Sequence, residues 1–171
     1  MRIGLEIDGV LADICLAAKN SFGCPALDSA YTLEEMFPTI SDEVFADWYT
    51  RDTTYLHMPI IHGAVEGLNA LTERHSVFLV TSRPAYASGV TAKWLRDNGF
   101  AIKSAVHVAD KGLRAEQLNL NVFIDSTPET INDLAGKTGG YLFCQPFNVY
   151  RAARGKRVVD WDDILARLKH G

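Results

Sequence analysis

The sequence predicts an α/β fold: a Rossmann-like parallel sheet of about five strands, helices on both faces, and a small helical insertion after the first strand. Three observations predict it. Short apolar runs of strand length alternate with amphipathic helical patterns. Polar residues collect at the carboxyl ends of those runs. One long stretch, residues 14–61, breaks the alternation and carries helical signals only.

The first run, RIGLEID (Arg2–Asp8), is followed by no convincing strand before Ile61. Instead, Thr32-Leu33-Glu34-Glu35 and Ser41-Asp42-Glu43-Val44 have the form of helix starts. Phe45, Trp48 and Tyr49 follow at helical spacing, with Phe37 and Tyr55 nearby. Residues 14–61 therefore form a helical insertion, with 1–13 and 62–171 as the core domain. Next, GAVEGLNALTER (Gly63–Arg74) sets Val65, Leu68 and Leu71 on one helical face, ahead of the strand VFLVT (Val77–Thr81). SGVTAKWLRDNGF groups Val90, Trp94 and Leu95, and Asn98-Gly99 stops it. AVHV (Ala105–Val108) and VFID (Val122–Asp125) are the third and fourth strands. A helix then starts at Ser126-Thr127-Pro128-Glu129, with Ser126 as cap, Pro128 in the first turn, Glu129 at capping-box spacing and Gly136 to end it. YLFC (Tyr141–Cys144) is the fifth strand.

The composition is that of an ordinary globular chain: 171 residues, 47% apolar, 22% charged and a net charge of −4. No basic patch is visible, so nucleic acid is not an expected partner. Cys15, Cys24 and Cys144 are too few and scattered for a disulfide framework or zinc site, and the five histidines lack ligand spacing. No signal peptide or membrane-spanning run is present, so a cytoplasmic location is the default.

In an open parallel sheet, ligands bind beyond the carboxyl ends of the strands. Strand one delivers Glu6 and Asp8 there, two apart and so on one side. Strand two delivers Thr81, Ser82 and Arg83; Asp110-Lys111 follows strand three, and Asp125-Ser126 strand four. Each alone has a plain structural explanation as a cap or a solvated side chain. Together they suit magnesium and phosphate: carboxylates for the hard cation, lysine and hydroxyls for phosphate oxygens.

Several motifs in this order resemble those of the haloacid dehalogenase (HAD) superfamily, in particular its 5'(3')-deoxyribonucleotidase-like phosphatases. LEIDGVLAD is similar to the first motif, VFLVTSRP to the second, Lys111 to the third and VFIDSTPETI to the fourth. The insertion sits where that family carries a cap, MPIIHGAVEGLNAL is similar to its re-entry helix, and QPFN and RVVDWDDI are similar to its closing segments. The resemblance implies an Mg2+-dependent phosphohydrolase. Glu6 would be nucleophile and metal ligand, and Asp8 would be the general acid and base, its carbonyl on the metal. Thr81 would hold the phosphoryl group, with Gly9, Ser82 and Arg83 beside it. Lys111 would neutralise charge, and Asp125 would complete the metal site. The substrate implied is a small phosphorylated molecule, a nucleoside monophosphate first, with Trp48 and Tyr49 (and Phe45) available to stack on a base.

Two departures matter. Glu6 stands where the family has aspartate, an arm longer by roughly 1.5 Å of bond, and a ~1 Å misplacement can cost on the order of 100-fold in rate. Metal binding is expected to survive this better than turnover. Ser126 stands where related nucleotidases have a second aspartate, and Glu129 is either that acid or the partner of Ser126 in the capping box. The competing reading is a catalytically silent relative that binds a phosphorylated ligand or a protein. A phospho-accepting receiver domain has similar residues, but its lysine comes last, whereas Lys111 precedes Asp125 here.

Overall fold

The computed structural model describes every residue except 135, 137, 170 and 171. Among the described residues six parallel strands form one sheet: β1 (Arg2–Leu5), β2 (Ser76–Thr81), β3 (Val106–His107), β4 (Val122–Asp125), β5 (Gly139–Phe143) and β6 (Lys156–Val158), in the order β3-β2-β1-β4-β5-β6. The chain steps outward from β1 in one direction, then returns to the other side at β4. The crevice between β1 and β4 is therefore the switch point where ligands bind in such sheets.

The alternation along each strand separates the two faces. Ile3 and Leu5 of β1, Leu79 of β2 and Val122 and Ile124 of β4 enter the larger core, under α4 (Ala64–Thr72), α5 (Ser88–Asp97) and α8 (Trp161–Leu168). Val80 and Phe123 point the other way and pack with Leu120 and with Ala115 of α6 (Lys111–Gln117), beside α7 (Pro128–Asp133). Gly4 is required at the centre of β1, because a Cβ there would lie 2.3 Å from the Phe123 ring.

The predicted insertion is present and helical. It contains α1 (Ile14–Phe22), a 3-10 turn (Glu34–Met36), α2 (Asp42–Tyr49) and α3 (Asp52–Leu56). Asp13 caps α1 through Leu16 N (2.9 Å), and Ser41 caps α2 through Val44 N (3.4 Å). The start at Thr32 yields one 3-10 turn only, since Pro38 forces Phe37 out of helical geometry (ψ 65°). Phe22, Phe37, Phe45 and Trp48 pack in edge-to-face and tilted pairs, with Phe45 and Trp48 centroids 5.1 Å apart. None of the helices among the described residues is long and apolar enough to cross a membrane.

Three expectations need correction. The first strand ends at Leu5, not Asp8: the Ile7 carbonyl accepts from the N–H groups of Val10, Leu11 and Ala12, and Gly9 takes φ 81°, so the chain turns sharply after Glu6. The capping box at Ser126 and Glu129 does not form. Thr127 is the N-cap of α7 and makes no side-chain cap, Ser126 bonds elsewhere, and Glu129 pairs with Arg151. That helix ends at Asp133, ahead of Gly136.

Candidate active site

Glu6 leaves β1 with its N–H still bonded to Ile124 O (3.0 Å), so its side chain enters the β1–β4 crevice. There it is buried. Its Oε2 accepts from Lys111 Nζ at 2.5 Å and from Ser82 N at 3.3 Å, while Oε1 accepts from Ile7 N at 2.7 Å. Lys111 opens α6, whose cap Asp110 accepts from Leu113 N (2.8 Å), and its Nζ also lies 2.6 Å from Asp125 Oδ2. One ammonium thus bridges two carboxylates from neighbouring strands. Burial raises the pKa of Glu6 above the usual carboxylate value against the pull of Lys111, and Asp125 and Asp8 add to the rise. For Lys111, burial opposes the charge but the Glu6 and Asp125 carboxylates outweigh it, so its pKa rises and it stays an ammonium.

Asp8 stands on a separate ion pair. Arg83 forks onto it, Nη2 donating to Oδ1 at 2.5 Å and Nε to Oδ2 at 2.9 Å, and the Tyr49 hydroxyl donates to Oδ2 at 2.8 Å. The guanidinium is 1% exposed and lies over the Tyr55 ring, 4.6 Å from its centroid. Burial, followed by the charges of Asp8 and Glu6, holds the Tyr49 phenol far above its ordinary pKa, so it remains a donor.

The turn carrying Asp8 is held from below. Ser126 Oγ donates to Asp8 O (3.1 Å), and a Cβ on Gly9 would meet that hydroxyl at 2.3 Å. Gln145 Nε2 donates to Gly9 O (3.0 Å), and Asn148 Nδ2 to both Ser126 O and Phe143 O (2.8 Å each). Reading the sequence for strand-end polar groups missed Gln145 and Asn148. Their available signal was a polar pair three apart around Pro146, the spacing of the capping box they form.

A cleft of 940 Å³ opens above this floor. Glu6, Asp8, Ser82, Lys111 and Ser126 line it from the core, Phe45 and Tyr49 from the insertion. Thr81, Arg83 and Asp125 lie beneath it: Thr81 is fully buried, and its Oγ1 accepts from Arg83 N at 3.2 Å. Trp48 is not part of its wall and packs in the aromatic cluster of the insertion.

The donors suit a hard cation. Asp125 Oδ2 is buried without a hydrogen bond, the nearby Lys111 missing that geometry, while Oδ1 accepts from Thr127 N (2.8 Å). Among the described residues no three acidic, histidine or cysteine side chains converge, so an ion would rely on Glu6, Asp125 and the Asp8 carbonyl, with water in its remaining positions.

The model of the family described as 5' nucleotidase, deoxy (Pyrimidine), cytosolic type C matches residues 1–169. A Bacillus cereus protein named as a candidate nucleotidase is 27% identical over 189 residues, covering 96% of each chain. Among solved structures, a HAD family hydrolase from Deinococcus radiodurans, with bound phosphate and sodium, superposes with a TM-score of 0.61 at 16% identity, covering 98% of this chain and 94% of that one. A haloacid dehalogenase-like hydrolase from Streptococcus pneumoniae gives 0.58 at 12% identity, covering 97% of each. The family model, which spans residues 1–169, places the chain in the family described as 5' nucleotidase, deoxy (Pyrimidine), cytosolic type C, and the solved structures share its HAD-type fold.

Proposed function

We propose that the protein is an Mg2+-dependent phosphohydrolase of small phosphomonoesters, with nucleoside monophosphates as its favoured substrates. The observation that carries this reading is the Glu6–Lys111–Asp125 array at the floor of the cleft, with the Ser82 N–H on the same Glu6 oxygen. Glu6 attacks phosphorus, the ester P–O bond breaks, and the departing oxygen takes a proton from Asp8, which must enter this step in its protonated form. Asp8 then takes a proton from water as that water attacks phosphorus, which frees phosphate and restores Glu6. Lys111 offsets the charge of Glu6 and the transferring group, and the Ser82 N–H and hydroxyl are the nearest phosphate donors. Mg2+ held by Glu6, Asp125 and the Asp8 carbonyl would neutralise phosphate charge and orient the ester. Phe45 and Tyr49 offer the flat walls for a base, with Trp48 behind them, and Thr81 and Arg83 support the floor from below.

A second reading, a binder that does not turn over, draws on one observation: Arg83 engages both oxygens of Asp8. The test is hydrolysis of nucleoside monophosphates and 4-nitrophenyl phosphate with Mg2+ by the wild type, Glu6→Gln and Glu6→Asp. The expected result is turnover by the wild type and a loss of at least about 1,000-fold in Glu6→Gln, because the nucleophile is gone. Activity in Glu6→Asp with none in the wild type would favour the silent binder.

A further inference from the structure

We propose that Arg83 and Tyr49 form a clamp on the Asp8 carboxylate, and that Tyr49 makes the proton-transfer step depend on seating of the helical insertion. The inference rests on the hydrolase reading above and assigns roles within it.

Four of the five N–H donors of Arg83 are engaged within the protein. Nε and Nη2 bind Asp8, Nη2 also reaches Met58 Sδ (3.6 Å), and Nη1 donates to Thr91 Oγ1 (3.3 Å). The guanidinium lies against two aromatic rings, 4.6 Å from the Tyr55 centroid and 5.7 Å from that of Trp94. A fork held so firmly sets the plane of the carboxylate it binds. Tyr49 approaches from the insertion, as the last residue of α2, and reaches Oδ2 from the cleft wall. Its own position is fixed twice. Its ring packs edge-on to Tyr55 at 5.6 Å, and Tyr86, an exposed residue after β2, donates its hydroxyl to Thr50 O at 2.9 Å, pinning the end of α2.

The Asp8 backbone is held independently, by Ser126 on its carbonyl and Gln145 on that of Gly9. Removing the Tyr49 hydroxyl therefore takes away one of the two holds on the carboxylate, with the Arg83 fork and the turn left in place. The clamp matters only where a proton must be delivered at the right angle. A leaving group that departs as a stable anion has little need of it.

The test compares kcat/KM for phenyl phosphate and 4-nitrophenyl phosphate, esters of nearly the same shape whose leaving groups differ in their need for a proton. Tyr49→Phe is expected to lose on the order of 10-fold with phenyl phosphate and less than about 3-fold with 4-nitrophenyl phosphate, within the range that positioned proton transfer supplies. The loss should fall on kcat, with KM nearly unchanged. Arg83→Lys, which keeps the charge but not the fork, should show the same asymmetry more strongly. If that buried substitution unfolds the protein, Tyr49→Phe alone decides. Equal losses with both esters, or a loss confined to KM, would overturn the clamp while leaving the hydrolase reading intact. No turnover of either ester by the wild type would remove the reaction and the clamp with it.

Discussion

A carboxylate kept in a crevice for its chemistry costs the fold stability, and Glu6 shows the sign of that cost. Its folded pKa is raised above 4.5, first by burial. Between 4.5 and the folded value, the unfolded chain has released the proton while the folded chain retains it, so stability falls as pH rises through that window. Urea unfolding of wild type and Glu6→Gln at pH 5 and pH 8 should therefore diverge, the wild type losing stability relative to the variant at the higher pH. A constant difference between them would contradict the burial argument. The positions of Glu6, Asp8, Lys111 and Asp125 were legible because strand ends of a parallel sheet converge on one edge, whatever the details. The partners were not. Asp8 belongs to Arg83 and Tyr49, and Ser126 to the Asp8 carbonyl, because those choices depend on how the insertion and the β1 turn pack, which sequence spacing does not encode.

At the level of elements, legibility followed the contrast between faces. α4 and α5 could be read because Leu68, Leu71, Trp94 and Leu95 are large apolar residues at helical spacing, and all four are buried. α1 hides its inward face behind small residues, Cys15, Ala17 and Ala18, and β6 is three residues long with two charges, so neither announced itself. The same packing logic gives a prediction on α4. Gly67 faces Trp161 of α8, and a Cβ there would sit 2.3 Å from Trp161 Cε3. Alanine improves helix propensity by about 1 kcal/mol, but overpacking a rigid indole costs roughly 1–3 kcal/mol. Trp161 cannot swing away cheaply, since its Nε1 donates to Val10 O at 2.9 Å. Gly67→Ala should therefore lower the melting temperature, by about 2–4 °C per kcal/mol of net loss in a chain of this size. A rise on melting would mean that the α4–α8 contact yields more readily than its geometry indicates.

For the whole molecule the question is whether the insertion is a separate unit or part of one folding body. A lid would be expected to come from the low-stability end of the structure, and helices as short as α2 and α3 (8 and 5 residues) have no stability of their own. Their burial argues for coupling. Phe37, Phe45, Tyr55 and Met58 belong to the same continuous apolar cluster as Leu5, Ile7, Trp94 and Trp161. Polar ties cross the boundary as well: Trp94 Nε1 donates to Met58 O (2.8 Å), Ile61 N to Leu11 O (2.8 Å) and Tyr86 to Thr50 O. Opening the insertion would expose Phe45, Trp48 and Tyr55, each worth roughly 1.5–3 kcal/mol of buried apolar surface, so local opening approaches the cost of global unfolding. Hydrogen exchange should then give amides of Phe45–Tyr49 and of Val122–Asp125 the same free energy and denaturant slope, as members of one cooperative transition. A lower free energy and shallower slope for the α2 amides would show instead that the insertion opens by itself, with Tyr49 leaving Asp8 each time it does.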